Sequence, residues 1–174
     1  MSQPSAVTNV IVCGLGGQGV IKASDILADA ACRAGFDVKK AEIHGMSQRG
    51  GSVSSDVRFG KEVLSPMVPA GEADFLLVVA PDQVDNVRPL LRTGGVLIES
   101  SLLGDAAQTL ARSVNVALLG ALSSHLPIEA RYWLEAMEAN LDAKWHQANA
   151  QAFETGYRAA RKLAAADGLS HQIG

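Results

Sequence analysis

The chain has 174 residues, a formal net charge of −3 and 48% hydrophobic residues. This length and composition are typical of one globular domain and exclude a disordered or fibrous chain. The mild negative charge gives no electrostatic reason to expect nucleic acid or an anionic membrane as a partner. The two cysteines, Cys13 and Cys32, are too few for a disulfide framework or a four-cysteine iron–sulfur cluster.

The chain carries no segment that suggests export or membrane insertion. Its first residues lack the basic patch and long apolar core of a secretory signal. No apolar run reaches the roughly 20 residues that a membrane helix requires. We therefore expect a soluble, cytoplasmic protein that folds as one domain over residues 1–174, with its core at about 9–166.

The first elements are a strand, a glycine-rich turn and a helix. Residues 9–13 form a short apolar run with β-branched residues, which is typical of a buried strand. Residues 20–34 then place apolar side chains at helical spacing, and Gly35 is a typical helix stop. A second strand is predicted at 36–43. This order is the usual opening of a Rossmann-like sheet.

The next segments depart from a regular alternation of strand and helix. Residues 52–59 alternate between apolar and polar, which predicts a strand with one solvated face. Gly60 and Lys61 then suggest a two-residue hairpin loop into a further strand at 62–65.

The middle of the chain predicts parallel strands joined by short helices. The all-apolar run 74–80 indicates a central strand. A helix is predicted at 81–92, which Pro89 should kink or end. Residues 96–98 predict another strand, and 104–112 a short helix.

The C-terminal third is predicted to be mostly helical. Residues 114–119 are interpreted as a last strand or else as the start of a helix. Helices are expected at about 127–141 and 143–166. The predicted class is therefore α/β: a Rossmann-like, mostly parallel sheet with flanking helices, a β-hairpin insertion and C-terminal helices.

The turn after the first strand is the first candidate site. Gly14, Gly16 and Gly19 fit the pattern G-x-G-x-x-G, and Gly17 and Gln18 complete the turn. Such a turn lets the backbone approach a phosphate, while the helix start directs N–H groups and partial positive charge toward the anion. A purely structural tight turn remains the alternative. A dinucleotide site is a further alternative, in which an acid at the end of the second strand would bind the ribose; Glu42 is the candidate.

A second glycine-rich segment, residues 44–51, separates the second and third strands. Its Gln48 and Arg49 offer hydrogen-bond donors that suit a carboxylate or phosphate. Gly50 and Gly51 leave room for a ligand or another chain, and His44 could transfer a proton near neutral pH. The alternative is a surface turn with a solvated arginine.

Three conspicuous side chains are interpreted structurally. Trp145 and Phe153 lie on one stripe of the last predicted helix, which favours a place in the core, or in a helix that packs on the sheet, over a cofactor site. Cys13 adjoins the glycine turn and is expected to be a buried small hydrophobe, not a reactive thiol.

Taken together, these motifs resemble the gamma subunits or domains of 2-oxoacid:ferredoxin oxidoreductases. The wording of the second motif, His-Gly-Met-Ser-Gln-Arg-Gly-Gly, is most similar to that of beta subunits of indolepyruvate ferredoxin oxidoreductases. The resemblance extends over about 9–160. The positions that carry it are 14–19, 44–52, 57–59, 65–66, 73–74, Asn115, 119–120, Asn149, 152–153 and 156–157.

The resemblance implies an accessory subunit that is not catalytic alone. In this family a 2-oxoacid, here an aryl pyruvate, is decarboxylated on thiamine diphosphate with magnesium. Electrons leave through iron–sulfur clusters to ferredoxin, and the acyl group passes to coenzyme A. The chain has too few cysteines for a cluster, so those cofactors are expected in a catalytic partner subunit. The loops 14–19 and 44–51 would contact coenzyme A or that partner, and an isolated copy could self-associate.

Two other functions stay open at this point. One is a free-standing Rossmann-type enzyme that uses NAD(P) or a flavin. The other is a nucleotide-binding or interaction module without catalysis. Both are consistent with the glycine turn, which by itself is unspecific.

Overall fold

The computed structural model describes residues 7–44 and 51–170. The strands are β1 (Thr8–Leu15), β2 (Asp37–His44), β3 (Ser52–Gly60), β4 (Ala73–Val78) and β5 (Leu91–Glu99). The helices are α1 (Val20–Arg33), α2 (Val84–Val87), α3 (Ala106–Leu110), α4 (Val114–Ser123), α5 (Ala130–Asn140) and α6 (His146–Ser170). None of these helices is long and apolar enough to cross a lipid bilayer.

The strands form one five-stranded sheet in the order β2-β3-β1-β4-β5. β1 pairs in parallel with β4, and β4 pairs in parallel with β5. β3 runs antiparallel to both of its neighbours, β1 and β2. All strands except β3 therefore point the same way, which confirms the predicted α/β class with a mostly parallel sheet.

The hairpin lies elsewhere than predicted. Residues 62–65 are not a strand, because β3 already has β1 and β2 as its two neighbours. The antiparallel pair is instead β2 with β3. The segment after β3 is held by side chains: Val63 N–H donates to Asp37 Oδ2 at 2.7 Å, and Arg58 donates to the Ser65 carbonyl at 2.9 Å.

The two faces of the sheet are covered differently. Alternation along β1 directs Val10 and Val12 into the large core formed with α1, α4, α5 and α6. Ile11 and Cys13 face the other side, where a smaller cluster packs under Val68 and the short helical turns of residues 81–90.

The run at 114–119 is the start of α4, so the expectation of a last strand is wrong and the alternative of a helix start is confirmed. Asn115 through Ser123 are all buried. A helix that is apolar on every side shows no 3.6-residue period, and a short apolar run then fits a strand equally well.

The predicted helix at 81–92 is broken. It consists of a 3₁₀ turn, α2 and a second 3₁₀ turn that contains Pro89. β5 starts directly afterwards at Leu91 and is longer than the predicted 96–98. Pro89 ends the helical segment as expected, because a proline lacks the N–H that a continuing helix would use.

Backbones of α4 and α6 meet at two glycines. A β-carbon added at Gly120 would overlap the carbonyl of Phe153, and one added at Gly156 would overlap the carbonyl of Ala117. The absence of side chains at both positions therefore allows the two helices to cross in direct backbone contact. The crossing lets α6 cover one side of α4, in which Asn115 through Ser123 are all buried.

We expect Gly120→Ala and Gly156→Ala each to lower the free energy of unfolding by about 1–3 kcal/mol or more, because neither carbonyl can move aside cheaply. Urea unfolding followed by circular dichroism measures this. Gly168→Ala is the matched control. Gly168 lies in α6, as Gly156 does, and a β-carbon added there would have no atom within 4 Å. There alanine should stabilise by up to about 1 kcal/mol. Equal effects at all three sites would contradict the crossing.

Candidate functional site

The glycine loop joins the carboxyl end of β1 to α1. Gly17 and Gly19 have φ values of +83° and +76°, which favour glycine strongly. At Gly14 a β-carbon would lie 2.7 Å from Cγ2 of Val20, so this glycine lets α1 start close against the strand. Two of these glycines thus serve the backbone turn and the third serves packing.

Several N–H groups of the loop are already used within the protein. Leu15 N–H donates to the side-chain oxygen of Gln18 at 2.7 Å, and Gln18 N–H donates to the Leu15 carbonyl at 3.2 Å. Gly16 N–H donates to the Gly51 carbonyl at 3.0 Å. That last bond joins the first predicted motif to the final residue of the second.

α1 starts at this loop without a side-chain cap of its own, and α4 supplies the support. The Gly19 carbonyl accepts a hydrogen bond from Ala23 N–H at 2.9 Å and another from Asn115 Nδ2 at 3.1 Å. Asn115 is buried near the start of α4. A side chain at Gly19 would collide with this amide.

A cleft of about 710 Å³ lies in front of the loop. It is at the carboxyl end of the parallel strands, the usual place for a ligand in an α/β sheet. The starts of both α1 and α4 line it, so two helix dipoles direct partial positive charge toward the cleft. Its polar lining residues are Gln18, Ser100, Gln108, Arg112 and Asn115.

The charges of the cleft favour an anion. Arg112 contributes a cation, and no carboxylate is among the described lining residues. Ser100, Gln108 and Arg112 were not identified in the sequence. They lie about 80 to 95 positions from the glycine loop, in a region with no motif. One signal was available: Asn115 is a lone polar residue in an otherwise apolar run.

The second glycine-rich motif lies mostly beyond what the structure describes. His44 ends β2, and its side chain is outside the described set. Gln48, Arg49 and Gly50 fall within residues 45–50, which are not described, so their roles stay predictions. Gly51 is described and contacts the glycine loop through Gly16.

The position of Glu42 argues against a dinucleotide site. β3 separates β2 from β1, which places Glu42 two strand spacings, roughly 10 Å, from the strand that leads into the glycine loop. Glu42 Oε1 instead lies 2.8 Å from the ammonium of Lys40. In a dinucleotide fold the strand of the ribose-binding acid is the direct neighbour of β1.

The two aromatic residues that were predicted to lie in the core, Phe153 and Trp145, differ in burial. Phe153 is buried and packs on Trp133 with ring centroids 5.6 Å apart, as expected. Trp145 is 47% exposed, so its assignment to the core is wrong. Trp145 is the last residue of the 3₁₀ turn Ala143–Trp145, just before α6 starts. The 3.6-residue spacing that relates side chains within α6 therefore does not predict which way Trp145 faces.

Comparison with known proteins places the chain in a family. A family model described as pyruvate ferredoxin/flavodoxin oxidoreductase matches residues 9–107. The chain belongs to this family. The indolepyruvate oxidoreductase subunit IorB of Thermococcus kodakarensis is 31% identical, over 89% of this chain and 96% of that one. IorB of Methanothermobacter thermautotrophicus is 31% identical, over 87% of this chain and 97% of that one.

Solved structures show the same fold. The gamma subunit of a keto/oxoacid ferredoxin oxidoreductase from Geobacter sulfurreducens superposes with a TM-score of 0.75 at 23% identity, covering 89% of this chain and 99% of that one. A 2-oxoglutarate:ferredoxin oxidoreductase chain from Magnetococcus marinus gives 0.77 at 20% identity and 92% coverage, but this chain spans only 32% of it. The predicted small, gamma-type subunit of a 2-oxoacid:ferredoxin oxidoreductase is confirmed.

Cys13 and Cys32 differ in environment. Cys13 is buried at the end of β1, where desolvation, with the negative charge of Asp56, raises its pKa to about 12. Cys32 is exposed. We expect the native chain to react with a thiol reagent at one fast site, and at two sites in denaturant, since a thiolate is the reacting form. Cys32→Ser should remove the fast site; two fast thiols in the native chain would contradict this assignment.

We expect Asn115→Ala to lower the free energy of unfolding by about 1–2 kcal/mol, because the buried amide loses its bond to the Gly19 carbonyl. Urea unfolding measures the loss, and hydrogen exchange should show reduced protection of the first turn of α1. Asn86→Ala is the control: Asn86 is exposed, so its replacement should change stability by less than about 0.5 kcal/mol. Unchanged exchange in α1 would show that Asn115 does not support the loop.

Proposed function

We propose that this chain is the small subunit of an enzyme that oxidises an aryl pyruvate, of the indolepyruvate type, and passes the electrons to ferredoxin. The observation that carries the proposal is its similarity to indolepyruvate oxidoreductase subunits over nearly their whole length, 96% and 97% of the two relatives described above. A 2-oxoglutarate synthase subunit of Archaeoglobus fulgidus is less similar, at 25% identity, which favours the aryl substrate.

The decarboxylation chemistry belongs to a partner subunit in this proposal. No group of three or more histidine, cysteine or acidic side chains in the described residues could hold a metal ion. Cys13 is buried and Cys32 is exposed, so the pair does not form a cluster site. Thiamine diphosphate, magnesium and iron–sulfur clusters would therefore reside in the catalytic partner, which passes electrons to ferredoxin in the cytoplasm.

The length of other family members supports such a partner. The chain spans 24% of the ketoisovalerate oxidoreductase subunit VorA of Methanothermobacter thermautotrophicus that it matches. In that relative, as in the Magnetococcus chain, the domain is part of a longer polypeptide. A domain that is fused in some relatives and separate in others suggests assembly with the remaining parts.

This chain would contribute a binding surface for coenzyme A. The structure from Magnetococcus marinus contains coenzyme A and succinyl-CoA. Here the cleft has the volume of a small-molecule site, about 710 Å³. Arg112 supplies positive charge, and no described lining residue supplies an opposing carboxylate. The residues of this chain would bind and orient the phosphates of the coenzyme.

The second motif would face the catalytic partner. The bond from Gly16 N–H to the Gly51 carbonyl joins the last residue of this motif to the glycine loop. Residues 17–19 of that loop line the cleft, so a ligand in the cleft and a partner on the second motif would stabilise each other. Arg49 would contact an anionic group of the partner, the substrate or the coenzyme. Exposed Leu64 (88%) and Met67 (55%) give the isolated chain apolar surface through which it would self-associate.

Affinity purification of the tagged chain from its native cells tests the proposal. We expect a cysteine-rich partner to co-elute with thiamine diphosphate and iron, and the complex to reduce ferredoxin faster with indolepyruvate than with pyruvate or 2-oxoglutarate. Arg49→Ala should lower acyl-CoA formation or the yield of complex without changing the circular dichroism spectrum of the chain.

The control variant is Arg161→Ala, on the exposed end of α6, which should behave as the unmodified chain. If the chain elutes alone, without thiamine diphosphate or iron, the subunit proposal is wrong. Normal assembly and turnover of the Arg49→Ala complex would remove only the role assigned to Arg49.

A further inference from the structure

The loop that joins β3 to β4, residues 61–72, contains no helix or strand, yet side chains of the sheet hold its backbone. Val63 N–H donates to Asp37 Oδ2 at 2.7 Å, and Val68 N–H donates to Asp56 Oδ2 at 2.9 Å. Val63, Val68 and Asp56 are all buried. A buried carboxylate that accepts a backbone N–H fixes the loop at that point, because breaking the bond would leave a charge buried without a partner.

The guanidinium of Arg58 holds the middle of the same loop. Its Nη1 donates to the Ser65 carbonyl at 2.9 Å and to the Met67 carbonyl at 3.3 Å. Its Nε donates to Asn9 Oδ1 at 2.9 Å, which ties the arginine to β1. Two prolines in the loop restrict its backbone further. The loop is therefore ordered by the sheet before any other molecule contacts it.

This ordered loop presents two large apolar side chains to solvent. Leu64 is 88% exposed and Met67 is 55% exposed. The run 63–71 around them contains no charged residue. Methionine and the absence of charge are typical of the centre of a protein–protein interface. Burying side chains of a loop that is already ordered costs little conformational entropy, so the loop is suited to a stable protein contact.

The loop lies at the opposite end of the sheet from the cleft. The register pairs Gly60, the last residue before the loop, with Asp37 at the start of β2, and pairs Phe59 with Thr8 at the start of β1. The loop is thus at the amino ends of the parallel strands, whereas the cleft is at their carboxyl ends. A protein bound to Leu64 and Met67 would leave the cleft free for its ligand.

The longer relatives indicate which protein contacts this end of the domain. In VorA and in the Magnetococcus chain the polypeptide continues beyond the part that this chain matches. A continuation can leave the domain only before its first strand or after its last helix. β1 begins beside the loop, since Thr8 pairs with Phe59. The rest of the enzyme is therefore connected close to Leu64 and Met67 wherever it precedes this domain.

We propose that Leu64 and Met67 anchor this chain in an apolar pocket of the catalytic partner subunit. The anchor is separate from the second motif, because the two lie at opposite ends of the sheet. It rests on the proposed function, and it adds to that function a specific assembly contact outside the cleft.

Purification of tagged variants from native cells tests the anchor, with the partner identified by its thiamine diphosphate and iron and quantified per tagged chain. We expect Leu64→Glu and Met67→Glu each to lower the amount of co-eluting partner about tenfold, because a buried unpaired carboxylate is costly. Leu64→Met should retain assembly. Leu134→Glu is the matched control: Leu134 is 45% exposed on α5, and its replacement should change nothing.

Two further measurements separate an anchor from a site of catalysis or a flexible loop. The complex that still forms with Met67→Glu should keep the KM values of the unmodified complex for coenzyme A and for the 2-oxoacid. In the isolated chain, the amide hydrogens of Val63 and Val68 should exchange slowly, since both are bonded to carboxylates. Fast exchange at both amides would overturn the proposal, because the loop would then not be ordered in advance.

The outcomes separate this inference from the proposed function. If the unmodified chain and both glutamate variants capture the thiamine enzyme equally, the anchor is wrong and the subunit role stands. If the variants lose only the self-association of the isolated chain, Leu64 and Met67 form a contact between copies and the anchor is also wrong. If the unmodified chain captures no thiamine enzyme, the proposed function fails, and the anchor fails with it.

Discussion

The direct backbone contact between α4 and α6 is the constraint on which the rest of the structure depends. Gly120 and Gly156 have no side chains, so the two helices approach until each glycine meets a carbonyl of the other helix. α6 thereby covers one side of α4, and α1 and the sheet pack on others, so that Asn115 through Ser123 are all buried. The buried helix positions Asn115 so that its Nδ2 donates to the Gly19 carbonyl at 3.1 Å. A packing contact deep in the core therefore determines how the glycine loop is supported at the surface.

The candidate site combines segments that are distant in sequence for the same reason. α1 follows the glycine loop directly, whereas α4 and the turn that carries Arg112 come some 95 positions later. Packing brings the starts of both helices to one cleft, where their dipoles and Arg112 favour an anion. The antiparallel strand β3 brings Gly51, the last residue of the second motif, to the glycine loop, since Gly51 directly precedes β3 and accepts the bond from Gly16.

Much of the fold could be predicted because local patterns were strong. The apolar strand β1, the glycine turn and the amphipathic α1 each follow from a period or a turn rule. The failures have physical causes. α4 has no period because it is buried on every side. Residues 62–65 resemble a strand, but Val63 N–H donates to the carboxylate of Asp37 and the Ser65 carbonyl accepts from Arg58, in place of bonds to a neighbouring strand. Trp145 matches the helical stripe in sequence but lies just before the helix starts.

The amino-acid sequence by itself determined the class of fold, the glycine loop and the family, because these depend on residue types at fixed spacings along the chain. Only the tertiary structure decided where β3 is inserted, which side chains line the cleft, and that Trp145 is exposed beside Lys22 and Arg112. Those features arise from contacts between segments far apart in sequence. Local propensity carries no information about such contacts, since their energy comes from burial and packing that exist only once the chain has folded.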